Sequence, residues 1–179
     1  CVMGLGGGTL TQAFLNAVPE ADVHTVELRQ AVIKVAKRFF QLDKQAQLNI
    51  HNEDAHDFLR TSDLSFDLIV ADLYHHYGID AGQLHAEFIT KVANRINANG
   101  WLVLNYWLDH DLEESLISQL HDEFECLFIC NSGGGNCIIY AGKSQPPANY
   151  LDSDKVKPLA KTLGFSLNYY LKRLQAFTA

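Results

Sequence analysis

Apolar positions along this chain follow two alternating periods. Short runs rich in β-branched and aromatic residues fall at 1–3, 22–28, 48–51, 66–72, 100–106, 126–131 and 136–142, and they read as strands. Between them, apolar residues recur every three or four positions and predict helices at 9–17, 30–40, 55–60, 84–96 and 112–124. The first helix carries Leu10, Ala13, Phe14 and Ala17 on one side and is stopped by Pro19; the second repeats at Ala31, Val32, Val35, Ala36 and Phe39. Strands alternating with helices imply an α/β fold with a mainly parallel sheet. The run "FDLIVADLY" is apolar without alternation, as expected of a strand covered on both faces. The last two strands are joined by "SGGGN", too short for a helical crossover, so they must form an antiparallel hairpin. A loop, "SQPPANYLDSD", then leads to a helix-like tail at 155–177. The expected architecture is therefore a seven-stranded, mainly parallel sheet that ends in an antiparallel hairpin. A domain at 1–143 is followed by a segment at 144–179 that packs on it or on a partner.

Composition narrows the class. With 179 residues and 47% hydrophobic content the chain can bury the core of one ordinary domain. Its formal charge of −7 argues against a broad nucleic-acid-binding face. No apolar run reaches a membrane span of about 18 to 20 residues, and no charged-then-apolar signal segment opens the chain, which reads as cytoplasmic. Cys1, Cys126, Cys130 and Cys137 form no C-x-x-C pair and read as reduced core thiols. The strand before the first glycine has three residues, shorter than the usual strand of about five or six, so residues are expected upstream of Cys1.

The candidate chemistry begins with "CVMGLGGGTL", in which Gly4, Gly6 and Gly8 stand between a strand and a helix. Such a turn lets a helix N-terminus offer free backbone N–H groups to a ligand. Glu27 ends the second strand 23 residues after Gly4, where a carboxylate accepts hydrogen bonds from a ribose diol as a binding contact rather than a packing one. Its plainer role would be to cap the helix beginning near Gln30. Together the turn and the acid indicate a nucleoside-type cofactor. Asp72 closes the buried fourth strand at the same edge of the sheet, and "NYW" at 105–107 closes the fifth, as a pocket wall or as core.

The spacing G-x-G-x-G, with the terminal hairpin, resembles class I S-adenosylmethionine-dependent methyltransferases, a Rossmann-like fold with helices on both faces. The ordered set "GLGGGTL", "VELRQAVIKVAKRFF", "EDAHDFL", "FDLIVADLY" and "NGWLVLNYW" is similar to the spermidine synthase branch over residues 1 to 143. Members of that branch transfer an aminopropyl group from decarboxylated S-adenosylmethionine to a polyamine and carry a β-rich region ahead of the glycine turn. The resemblance implies that Asp54, followed by Ala55, holds the adenine, although an N-cap for the helix at 55 is the competing role. It further implies that Asp72 takes the proton from the attacking amine, a step that suits a carboxylate. The sequence also departs from the branch: Gly6 stands where spermidine synthases have an acid, and "DLYHHYG" replaces D-S-S-D-P. That puts Tyr74, His75, His76 and Tyr77 where the acceptor is expected. Neighbouring histidines on a strand exit point apart and no third ligand has a matching spacing, so no metal is expected; a histidine working as acid or base near neutral pH, or a solvated loop, are the readings of that segment.

The sequence thus implies a transferase that binds S-adenosylmethionine or its decarboxylated form through Gly4, Gly6, Gly8, Glu27, Asp54, Ala55 and Asp72. It would pass a methyl or aminopropyl group to a small acceptor such as a polyamine, with a homodimer contact available in the tail. The alternative is a non-catalytic nucleoside-binding module that keeps the fold.

Overall fold

The computed structural model describes residues 1–42, 47–75, 78–107, 114–151 and 153–177. In chain order the elements are β1 (Val2–Met3), α1 (Thr9–Ala17), β2 (Val23–Val26), α2 (Gln30–Phe40), β3 (Leu48–His51), α3 (Ala55–Thr61), β4 (Phe66–Ala71), β5 (Tyr74–His75) and β6 (Gly78–Ile79). A 3₁₀ turn at Ala81–Leu84 follows, then α4 (Ala86–Ala93), β7 (Ile96–Trp107), α5 (Glu114–Glu123), β8 (Cys126–Asn131), β9 (Asn136–Gly142), α6 (Ser153–Leu163), α7 (Asn168–Leu171) and β10 (Leu174–Ala176).

The main sheet runs β10-β8-β9-β7-β4-β1-β2-β3. β3, β2, β1, β4 and β7 are mutually parallel, while β9, β8 and β10 each run antiparallel to the preceding neighbour. From β1 the chain moves outward to β2 and β3 and then returns to β4 on the other side of β1. That reversal opens a crevice at the carboxyl ends of β1 and β4, where open α/β sheets take their ligands. The core follows from the apolar runs: Met3, Ile69, Ala71, Leu102 and Leu104 are fully buried between the sheet and α3–α5. All four cysteines are free thiols, and burial, with Cys130 next to it, pushes the Cys137 thiol up to about 11.

The sheet has eight strands rather than the expected seven. The extra strand comes from the tail, whose apolar spacing reads as one helix. Gly164 instead ends α6 in the left-handed region (φ 77), with its own N–H and that of Phe165 both turned back to the Ala160 carbonyl. Leu174–Ala176 then pairs with the free edge of β8, satisfying backbone groups that an edge leaves open. α6 packs against α1.

Further boundaries differ; the strand expected at 22–28 is Val23–Val26, so Glu27 stands just past its end. The helix expected to run to 96 ends at Ala93, and β7 begins at Ile96 instead of 100, because Ile96 already pairs with Phe66 before a register shift brings Trp101 opposite Leu68. The expected helix at 112–124 is observed as α5, its first two positions lying outside the described residues. α2 is also turned relative to its apolar repeat. It buries Ile33 and Ala36 against Leu5 and Leu42, while Val35 and Phe39 face outward.

Between β2 and β3, His24 Nδ1 lies 2.9 Å from His51 Nε2, the rings stack at 5.1 Å, and Asp22 Oδ2 is 3.3 Å from His24 Nε2. One proton fits between the two facing nitrogens, so one of them must remain an unprotonated acceptor. Burial, and then the charge of His24, lowers the His51 pKa from its ordinary 6.5. The folded chain therefore binds fewer protons at this site than the unfolded chain, and stability falls as pH drops through the unfolded value toward the lower folded one. The urea midpoint is expected to decline between about pH 7.5 and 5, and His51→Gln should flatten that decline. Equal slopes for the two proteins would overturn the assignment.

Candidate active site

Gly4 leaves β1 with φ +94, and a Cβ there would sit 2.3 Å from the Asp72 carbonyl oxygen. Only glycine lets the exits of β1 and β4 pass this closely. Its N–H donates to the Val26 carbonyl at 2.9 Å, fastening the turn to β2 as well. Gly6 also has positive φ (52) but opens on free space, with nothing within 4 Å of a Cβ. Gly8 caps α1 with φ +76, packs against Leu42, and does not border the cavity below.

That cavity, of about 640 Å³, lies over the crevice between β1 and β4 and brings together Gly4, Gly6, Glu27, Asp54, Ala55 and Asp72. Tyr74 and His75 line its far side. His76 and Tyr77 lie outside the described residues.

Glu27 is almost fully buried. Its Oε2 accepts the Leu5 N–H at 3.1 Å and its Oε1 accepts the Arg29 N–H at 2.8 Å, with the Arg29 guanidinium 3.6 Å away. The carboxylate thus braces the glycine turn against the start of α2, a structural duty that its strand-edge position alone does not disclose. Asn52 donates to the Glu27 and Leu28 carbonyls and ties the ends of β2 and β3 together. Asp54 caps α3, accepting the N–H groups of His56 at 2.8 Å and Asp57 at 3.3 Å. Both bonds fall on Oδ1, so the cap leaves Oδ2 uncommitted.

Asp72 follows β4, its N–H donating to the Met3 carbonyl. Its Oδ1 accepts Asn105 Nδ2 at 2.7 Å, and Asn105 Oδ1 accepts Asn136 Nδ2 at 2.8 Å. The next residue is clamped as well: the fully buried Gln83 amide accepts from the Leu73 N–H at 3.2 Å and donates to its carbonyl at 3.1 Å. From this base rises the small β5–β6 hairpin. The Tyr74 hydroxyl is buried without a hydrogen-bond partner among the described residues. Burial, and then the charge of Asp72, pushes its pKa up. A buried polar group left unpaired is costly. His75 Nε2 pairs with Asp80 Oδ2 at 3.3 Å.

Sequence spacing pointed to neither Asp80 nor Glu53, yet both line the cavity. Asp80 follows β6 and caps the 3₁₀ turn, a position with no regular period, and Glu53 is simply adjacent to Asp54. The cavity is therefore bordered by five carboxylates, from Glu27, Glu53, Asp54, Asp72 and Asp80, against one guanidinium, that of Arg29. Such a field attracts cations. A glycine turn open at Gly6, two acids just past strand ends and an acidic lining together fit a positively charged nucleoside. Among the described residues no three His, Cys, Asp or Glu side chains converge as a metal centre, and no helix is long and apolar enough to cross a membrane.

The polyamine aminopropyltransferase of Vibrio vulnificus is 24% identical over 151 residues, covering 81% of this chain; the chain spans 50% of that protein's length. A spermidine synthase solved with the transition-state analogue AdoDATO superposes with a TM-score of 0.79 at 15% identity, over 96% of this chain and 64% of the other. Human Methyltransferase-like protein 13, solved with SAH, superposes with a TM-score of 0.73 at 20% identity, over 99% of this chain and 83% of the other. At these identities the superpositions establish a shared fold. The family model for the methyltransferase domain matches residues 2–100, from β1 through the start of β7, more than half of the sequence. On that match the chain belongs to the methyltransferase domain family.

Proposed function

We propose that the chain binds S-adenosylmethionine in the 640 Å³ cavity and transfers an alkyl group from its sulfur to a small cationic amine, with Asp72 as the base. The observation that carries this reading is the Asp72 carboxylate, fixed by Asn105 at the carboxyl edge of the central strand within an acidic cavity. The cofactor supplies a carbon bonded to a positively charged sulfur, which leaves as a neutral thioether. The protein's part is alignment and proton removal. An ammonium group has no lone pair to attack with; Asp72 takes its proton, and the amine nitrogen then forms the new bond to carbon. The carboxylates of Glu53 and Asp80, which have no part in the other steps, attract the remaining positive charge of the acceptor. Glu27 accepts from the ribose diol, and Asp54, with Ala55, borders the base.

Gly6 bears on the group transferred. Spermidine synthases resembling this chain have an acid at that place, where it favours the decarboxylated cofactor. Here the position is open space, without the acid that would stand against a carboxylate-bearing ligand at that point. Calorimetric titration is expected to give affinities for S-adenosylmethionine and its decarboxylated form within about tenfold of each other. Mass analysis after incubation of each with putrescine or spermidine reports the product. A preference for the decarboxylated form of more than about 100-fold would restore strict aminopropyl transfer. Failure to bind either nucleoside would end the transferase reading.

A further inference from the structure

We infer that Asn105, held by Asn136, is a positioning residue for Asp72, and that the β8–β9 hairpin thereby reaches into the chemistry. The inference rests on the reading of Asp72 as the base. The strand pairing builds the arrangement. Ala71 lies opposite Leu104 in the β4–β7 ladder, so the next step of that register brings Asp72 beside Asn105. In the β7–β9 ladder Asn105 faces Ile138 and Trp107 faces Asn136, which puts Asn136 diagonally across from Asn105 on the same face.

The direction of the bonds follows from chemistry. An ionised carboxylate only accepts, so the Asn105 amide nitrogen must face Asp72 Oδ1 at 2.7 Å. Its carbonyl oxygen is then left for the Asn136 amide nitrogen at 2.8 Å. Asn136 is itself fixed, because its backbone carbonyl accepts both the N–H and the hydroxyl of Ser132 across the hairpin turn. Donation therefore runs one way, from the hairpin to Asn136, to Asn105, to Asp72. With Oδ1 bonded to Asn105, Oδ2, which has no partner among the described residues, is the oxygen left to receive the proton of the acceptor.

The test compares Asn105→Leu, Asn136→Ala, Asp72→Asn and the Asp72→Asn/Asn105→Leu double variant. Each is assayed for kcat with S-adenosylmethionine and putrescine, for S-adenosylhomocysteine affinity by calorimetry, and for melting temperature. A hydrogen bond to a charged group corresponds to about 10- to 100-fold, which is the expected fall in kcat for Asn105→Leu, with nucleoside affinity within about twofold. Asn136→Ala should lose less, in the same sense. In the Asp72→Asn background, removing Asn105 should cost nothing further, because the group it positions is gone. Multiplicative losses in the double variant, or an equal loss of nucleoside affinity, would overturn the positioning role, as would full activity of Asn105→Leu beside an inactive Asp72→Asn. Should Asn105→Leu fail to fold, Asn136→Ala decides alone, since it keeps the Asp72–Asn105 pair and removes only its support. A wild-type protein without turnover overturns the transferase reading itself, and the positioning role with it.

Discussion

Asp72→Asn is expected to slow turnover about 100- to 10,000-fold while nucleoside affinity moves by less than about threefold. Asparagine keeps the size of the side chain and one hydrogen-bonding oxygen, so the fold and the contact with Asn105 have a substitute. What it cannot do is accept the proton of an ammonium nucleophile. The competing role for Asp72 is purely structural: its carboxylate would secure the chain that follows by accepting backbone N–H groups. That duty is already filled, because the Leu73 N–H goes to the buried Gln83 amide, and the bond made by the Asp72 carboxylate is to a side chain, Asn105. The measurement is kcat with S-adenosylmethionine and putrescine alongside calorimetric titration with S-adenosylhomocysteine, on the same preparation. Equal losses in rate and affinity would return Asp72 to a structural role, and full activity would remove it from the mechanism.

The parts of the molecule that a reader of the sequence can find are those written in local periodicity. The run 66–72 has no polar face, and its central residues Ile69, Val70 and Ala71 are buried. The four-residue linker between Asn131 and Asn136 leaves no room for a crossover, and the β8–β9 hairpin results. The glycine turn is also local, since positive φ at Gly4, Gly6 and Gly8 is what the spacing announces. What escapes is set by partners distant in sequence. β10 exists because β8 offers an open edge, so the apolar spacing of its own residues reads as helix. α2 turns Phe39 outward because the small space over Leu5 and Leu42 admits Ile33 and Ala36. The same holds at the candidate site. Strand ends announce Glu27 and Asp72, whereas Asp80, Asn105 and Gln83 enter through a turn, a cross-strand pairing and a buried amide. No spacing rule in the sequence joins those residues.

Glu27→Ala is expected to weaken S-adenosylhomocysteine binding by at least about tenfold and to lower stability by about 1 to 3 kcal/mol as well. On the sequence alone, a carboxylate at a strand edge facing a ribose diol is a binding contact whose loss leaves the fold intact. The structure gives it a second duty, as the acceptor for the Leu5 and Arg29 N–H groups. The Leu5 bond is buried, so its donor would be left without water or a partner, and that is the source of the stability term. The two duties are separable. Glu27→Gln retains an oxygen for one of the two N–H groups, and so recovers part of the stability, but it loses the charge that strengthens bonds from the two ribose hydroxyls. Urea denaturation and calorimetric titration, both at a temperature where each variant is fully folded, give the two numbers independently. If Glu27→Gln regains stability and still binds weakly, the carboxylate is a nucleoside ligand. If affinity returns in step with stability, Glu27 acts only by bracing the glycine turn, and unchanged affinity in Glu27→Ala would take it out of the site.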